Sequence, residues 1–479
     1  MQKQTPPEAT KTVYPILRQI VNLIPPNVFH AAASATKDLS RAFTPWSHVV
    51  ALIYQQLTKT ESLNGVCDAA RLHASQWQEL RGAVPPRRNT FSNANQHRDP
   101  TMMETLYWKM LDCLGGLSPE FVSIRNPSAL ARFKKRHIHL LDSSTIQLVL
   151  NSIDWARHRA RKAAAKLHMN YLLGNLLPSF AIAEDAGHHD SKRAEAVTAS
   201  LGDGDILVAD RAYTDFGFLN ALALRNVFFV VREKTNLVME ALEALQGPVE
   251  FNADSKATQI LGDEVVRPSR KGTAGKYTAG DGTLRRVTAM VEVRGQMRRM
   301  VFFTNNRDWS ARTVAELYRA RWAVELFFKE LKQTCQLRDF VGYNENAVKW
   351  QVWTGLLVHL LLRYLKFLSK WKLSFSRLAG VVRAGVWVRR SIVRLLEMYG
   401  TAGGWKSDGT KPKPLYLQGF LPFSLSPMGQ RLAKSQEIPE HGHGFLKTSL
   451  ETLFHNRKNA KSKCQFRRLD LSGFAAMGC

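Results

Sequence analysis

At 479 residues, 45% of them hydrophobic, the chain is long enough for two or three domains and can bury a sizeable core. Its 67 lysines and arginines stand against 40 aspartates and glutamates, a net charge of +27, which points to a polyanionic partner, either nucleic acid or an anionic membrane surface. The most apolar run, residues 352–368, is broken by His359, Arg363 and Lys366 before it reaches the ~18 residues a membrane span needs, so it reads as a core helix. The first twenty residues lack the apolar stretch of a signal peptide. The five cysteines are scattered and show no CxxC spacing, so they write neither a zinc site nor a disulfide framework. Together these features predict a reduced, cytoplasmic protein that binds nucleic acid and no membrane.

In chain order, residues 12–125 read as mostly helical, with apolar positions at helical period in "VVALIYQQLTKT" and "METLYWKMLDCL". Between these helices, "PPRRNTFSNANQHR" predicts a short helix capped by Thr90 or Ser92. Arg87, Arg88 and Asn89 open it, and Asn93, Asn95 and Gln96 add side chains of the kind that reach phosphates and base edges. A polar loop between two core helices explains the same residues equally well. Near residue 137 the alphabet changes. "HIHLLDSSTIQLVL" predicts two strands around a turn at Asp142, a basic connection follows, and "LLPSFAIAED" is the next strand. "DSKRAEAVTASL" suits a helix, "DILVAD" is a short buried strand ending at Asp210, and a further helix and strand follow through "VFFVVRE". This alternation predicts an α/β layer with a mixed sheet. Residues 235–300 break the pattern with Asp-Gly and Arg-Gly turns between short alternating runs, a β-rich insertion that returns to the sheet edge. Residues 401–479 begin as a linker-like stretch and end with a basic run.

The helix after the insertion, "YRARWAVELFFKELKQ" at residues 318–333, places Tyr318, Arg321, Glu325 and Lys332 within an arc of about 60°, while apolar residues surround them. Spacing alone leaves two readings open, a solvated face in which Glu325 pairs with Lys329, or a functional face. Asp142 and Asp210 raise the same question, since a turn cap or a local ion pair would explain either alone. Strand ends in an α/β sheet converge, however, and a helix packed across them can add a third carboxylate. Asp142, Asp210 and Glu325 would then be three hard oxygen donors without a Cys or His, a set suited to Mg2+ or Mn2+ and to in-line phosphoryl displacement between two such ions.

"YRARWAVELFFKELK" matches Tyr-x2-Arg-x3-Glu-x6-Lys, the signature of the DDE transposases of bacterial insertion-sequence family four. "LLDSST" resembles the first-Asp motif of that family, "GDILVADRAYTDF" its second, and "FFTNN" the strand leading to the Glu. The N-terminal "FTPWSHVVALIYQQLT" and "RRNTFSNAN" resemble its helical leader domain, so the likeness covers residues 15–370 or so, with the motifs in register.

The resemblance implies an α/β, ribonuclease-H-like catalytic core with a β-rich insertion, preceded by a helical N-terminal DNA-binding domain. The corresponding boundaries are 1–130, 131–234, 235–300, 301–400 and 401–479. It implies that Asp142, Asp210 and Glu325 are catalytic and hold two Mg2+ ions, with Mn2+ able to substitute. Tyr318, Arg321 and Lys332 would contact DNA phosphates, and Arg87, Arg88 and Asn93 would bind DNA from the leader domain. The implied protein is bacterial, cytoplasmic and nucleoid-associated, cuts transposon terminal inverted repeats, joins them to target DNA, and works as a homodimer on paired ends. Some relatives stack a Trp on a flipped base during hairpin formation. The matching place near Met300 has no Trp, although Trp309 and Trp322 are close in sequence. Two other readings remain: an inactive DNA-binding protein derived from a transposase, and a nuclease of the same fold.

Overall fold

The computed structural model describes residues 11–400 apart from 37, 39, 149–156, 159–161, 186–189, 247–257, 270–272, 274, 294–295, 335–339 and 343. The linker-like and basic stretches expected in 401–479, and the Arg-Gly turn at 294–295, lie outside the described residues.

Residues 16–122, the leader segment, are helical, as expected. Its central helix, Pro45–Thr58, opens at Thr44, whose side chain accepts the Ser47 amide at 3.1 Å, and it is buried along almost its whole length. The short polar helix spans Arg88–His97 and starts earlier than a Thr90 or Ser92 cap would allow: Arg87 is the N-cap position and offers no side-chain cap. Arg87, Arg88, Asn89, Asn93 and Gln96 are exposed, whereas Asn95 is buried, its Oδ1 lying 2.8 Å from His48 Nε2. Asn95 thus serves the leader's core and is not available to a base edge.

Among the described residues ten strands follow: β1 (Ile138–Leu148), β2 (Arg157–His158), β3 (Lys162–Leu172), β4 (Leu177–Asp185), β5 (Ile206–Ala209), β6 (Phe228–Arg232), β7 (Met239–Gln246), β8 (Gln259–Pro268), β9 (Leu284–Val293) and β10 (Gln296–Thr304). The two strands predicted around Asp142 are one. β1 runs unbroken through the acid because the whole Asp-Ser-Ser-Thr stretch pairs with β3, Asp142 facing Met169 and Thr145 facing Lys166. Part of the predicted basic connection is β3 itself.

All ten strands belong to one mixed sheet in the order β2-β3-β1-β5-β6-β10-β9-β8-β7, with β4 also paired to β3. β1, β5 and β6 are parallel, while the pairs of β1 with β3 and of β3 with β4 are antiparallel. Residues 235–300 therefore extend the sheet through β10, which lies antiparallel to β6. The predicted Asp-Gly turn precedes β9: Asp281 Oδ1 accepts the Thr283 amide at 3.1 Å, and Gly282 takes φ +73°, a left-handed value that glycine tolerates.

Arg285 ties this sheet to the helix Ala311–Ala320, which leads into the segment that carries Glu325. Arg285 of β9 makes a buried, two-pronged pair with Asp263 of β8 at 2.8 and 2.6 Å and donates to the carbonyls of Arg307, at 3.2 Å, and Trp309. Those carbonyls lie in the turn that launches the helix Ala311–Ala320, so the extension strands fix where that helix starts. The apolar run around residue 352 forms the core helix expected, Glu345–Leu368, buried on nearly every side. Among the described residues no helix is long and apolar enough to cross a membrane.

Candidate active site

The first two acids are brought together by the sheet register. β1 and β5 run parallel and pair up to Leu141 opposite Ala209, so the next residues of the two strands are Asp142 and Asp210. Parallel pairing gives both carboxylates the same end of the sheet. The third acid arrives from a helix, and that helix differs from the sequence reading. The stretch expected as one helix is two, Ala311–Ala320 and Trp322–Thr334, meeting at Arg321. Arg321 keeps helical angles, φ −56° and ψ −25°, while the bonds tighten to an i→i+3 pattern, Arg321 N to Tyr318 O at 3.0 Å and Val324 N to Arg321 O at 3.1 Å.

At this junction Arg321 joins two of the acids. Its Nη1 donates to Asp142 Oδ2 at 3.3 Å and its Nη2 to Glu325 Oε1. The Glu325 partner is thus Arg321, one turn earlier, and not Lys329. Tyr318 reaches the remaining acid, its hydroxyl donating to Asp210 Oδ1 at 3.0 Å, while its ring packs on Phe302 of β10 with centroids 4.6 Å apart. Lys332 Nζ donates to the carbonyl of Thr145 at 2.8 Å, three residues beyond Asp142 on β1.

The arc around the polar stripe is less buried than its composition implied, for Trp322 is 40% exposed and Leu326 45% exposed. Phe327 and Leu331 do face the core, with the Phe327 ring 4.9 Å from Tyr171 and 4.8 Å from His359. Glu330 Oε2 lies 3.2 Å from His359 Nε2, so the Glu325 helix is anchored on the helix Glu345–Leu368. Trp309 packs against Phe133 and Phe228 at 5.2 and 5.3 Å, leaving Trp322 as the more exposed indole.

Electrostatics couple these groups. Burial pushes the Asp142 carboxyl up to about 6; Arg321 and the Ser143 amide, 2.8 Å from Oδ1, oppose the rise, and the charges of Asp210 and Glu325 add to it. Burial also pushes the Tyr318 phenol up to about 12, so it remains a donor to Asp210 at neutral pH. Burial works against the Arg321 charge, yet Tyr318, Asp142, Glu325 and Asp210 outweigh it and raise its pKa. Arg321, the guanidinium bonded to these acids among the described residues, cannot by itself balance three carboxylates. A divalent cation would relieve that excess, and three carboxylates are a donor set that Mg2+ or Mn2+ accepts. Sequence reasoning missed the bridging role of Arg321, although its three- and four-residue offsets from Tyr318 and Glu325 were the available signal.

Residues 134–361 match the family described as a transposase DDE domain. The chain carries a transposase DDE domain. Asp142, Asp210, Tyr318, Arg321, Glu325 and Lys332 all fall inside it, and such a domain belongs to enzymes that act on DNA with a divalent metal. Residues 12–80 match a domain of unknown function. A protein of Sinorhizobium fredii named as a transposase is 28% identical over 54% of this chain and 69% of its own length. One of Geobacillus stearothermophilus, named for an insertion sequence element, is 29% identical over 49% of this chain and 58% of its own. One of Synechocystis, also named for an insertion sequence element, is 24% identical over 37% of this chain and 46% of its own. The chain thus spans about half to two thirds of the length of these relatives.

The Asp142 shift carries a pH dependence for the DDE domain. Its folded value of about 6 lies above the ordinary 3.8, so between the two the folded state binds the extra proton. Stability thus falls as pH rises through that window, and the full penalty applies above it. In EDTA at pH 7.5, Asp142→Asn is expected to raise stability by about 1–3 kcal/mol, with the gain shrinking towards zero at pH 4, as urea unfolding at the two pH values would measure.

Proposed function

We propose that the chain is a cut-and-paste transposase of the insertion-sequence family four type, with a ribonuclease-H-like core. The observation that carries this reading is the convergence of Asp142, Asp210 and Glu325 from two adjacent parallel strands and one helix, with Tyr318 and Arg321 bonded to them. The strand order β4-β3-β1-β5-β6, antiparallel on one side of β1 and parallel on the other, supports the core assignment. Residues 1–130 would serve as a DNA-end binding domain, 131–234 as the first part of the core, and 235–300 as its β insertion. Residues 301–400 would complete the core.

In this reading Asp142, Asp210 and Glu325 would hold two divalent ions, Mg2+ or in substitution Mn2+, which would supply an activated attacking oxygen and charge relief on the leaving oxygen. Water attacks the phosphodiester at the transposon end, and the bond to the 3′ oxygen breaks to leave a free 3′-hydroxyl. That hydroxyl then attacks a target phosphodiester, forming one P–O bond as another breaks, with no covalent enzyme intermediate. Tyr318 orients the Asp210 carboxylate through its hydroxyl. Arg321, when released from Asp142 and Glu325, and Lys332 are cations close enough to the acids to take the phosphates that flank the cut. Arg87, Arg88 and Asn93 stand exposed on the leader helix and would grip the inverted repeat, two protomers pairing two ends.

Glu325→Ala should abolish Mg2+-dependent cleavage of a plasmid carrying the gene and its flanks while retaining binding to those flanks. Cutting at the wild-type rate would refute the assignment, and cleavage by the wild type without any joined product would indicate a nuclease. Arg87→Ala combined with Arg88→Ala should weaken binding at low salt and reduce the slope of log affinity against log salt by about one per residue, measured by fluorescence anisotropy.

A further inference from the structure

The end of β1 and β5 opposite the acids holds a second cluster. His137 and Asp205 immediately precede the two strands, and His139 is the second residue of β1. Among the described residues, His137, His139 and Asp205 are the group of three or more His, Cys, Asp or Glu side chains whose ligand atoms all lie within 4.8 Å of one another. His137 Nδ1 is 3.6 Å from Asp205 Oδ1, and His139 Nε2 is 3.5 Å from Asp205 Oδ2.

The hydrogen bonds around His139 define what its ring presents. His139 is only 5% exposed, and its Nδ1 is 2.9 Å from Asn170 Oδ1. Asn170 Nδ2 donates to the Val197 carbonyl at 3.2 Å, which assigns its Oδ1 as an acceptor and puts the His139 proton on Nδ1. Nε2 then turns a lone pair towards Asp205, and it has no hydrogen-bond partner. Asp205 Oδ2 already accepts the Gly202 amide at 2.8 Å. Two acceptors therefore face each other at 3.5 Å inside the protein, an arrangement that is costly unless something positive lies between them.

A second proton on His139 would meet Asp205 at a distance too long for a good hydrogen bond. A metal ion fits the two His–Asp separations of 3.5 and 3.6 Å better, because donors about 2.0–2.1 Å from a tetrahedral centre stand roughly 3.4 Å from one another. The surrounding bonds match a metal site too, with the far nitrogen of the buried His held by an amide oxygen and the carboxylate held by a backbone amide. His137, with its side chain 52% exposed, leaves the cluster open to solvent for entry and for a fourth ligand. The nearby Arg136 is drawn aside, its Nη1 donating to the Gly204 carbonyl at 3.1 Å and its guanidinium lying 4.7 Å from the Phe228 ring centroid.

We propose that His137, His139 and Asp205 form a site for a zinc-class divalent ion that pins the starts of β1 and β5 together. Two imidazoles and one carboxylate select Zn2+ over the Mg2+ suited to an all-carboxylate set. The cysteine spacing gave no sign of it, since no cysteine takes part. The ion's place is structural, at the far end of the two strands that carry Asp142 and Asp210.

The test is a calorimetric titration of the untagged full chain, stripped with EDTA and desalted, with Zn2+ alone in a buffer containing millimolar Mg2+. Wild type and Asp142→Asn should each bind an equivalent of Zn2+ that His137→Ala and Asp205→Asn bind at least about tenfold more weakly, and Zn2+ should raise the Tm of the first pair more than that of the second. His137 is exposed enough for its replacement to leave the fold intact, which circular dichroism would check. Equal Zn2+ stoichiometry and affinity in wild type and His137→Ala would overturn the site, as would loss of the same equivalent in Asp142→Asn.

Discussion

The structure around the acids depends on one guanidinium. Three carboxylates near one another, one of them largely buried, form an arrangement that water would normally have to solvate. Arg321 answers that cost for Asp142 and Glu325 by direct donation and for Asp210 by proximity, while Tyr318 donates to Asp210. The compensation is incomplete, as the raised Asp142 carboxyl records. A site with residual negative charge is poised for a divalent cation, and a cation there would set Arg321 free for a phosphate. In the proposed function the same side chain would link the metal-free fold to a DNA-bound state.

Much of this was legible in the sequence because strand ends and helix faces leave periodic marks. "DILVAD" reads as a buried strand ending in an acid, and the structure ends β5 at Ala209, directly before Asp210. Asp142 was harder. Asp-Ser-Ser-Thr has the composition of a turn, yet pairing with β3 holds it extended, so a tertiary ladder overrode local preference. The break at Arg321 left no mark in the hydrophobic pattern, since the residue keeps helical angles and only the hydrogen bonding changes. Asn95 was grouped with DNA-facing residues by type, but one position along a helix turns a side chain by ~100°, enough to bury it against His48.

The wider organisation follows from the sheet. Residues 235–300 read as an insertion, and their strands extend the same sheet, with Arg285 and Asp263 fastening them to the turn that precedes Tyr318 and Arg321. The position of the Glu325 helix thus depends on residues far from the acids. At the other end of β1 and β5, His137, His139 and Asp205 form a polar cluster of a different donor chemistry, so the two parallel strands carry ligating side chains at both ends. Neither β1 nor β5 can shift register without moving both clusters.

The central claim is that Arg321 occupies the charge role of a metal until one binds. Mn2+ binding to the DNA-free protein, followed by electron paramagnetic resonance in wild type and in Arg321→Gln, tests it most directly. Removing a competing cation should tighten Mn2+ binding, on the order of tenfold, and Asp142→Asn should weaken it. Unchanged or weaker Mn2+ binding in a folded Arg321→Gln protein would contradict the account.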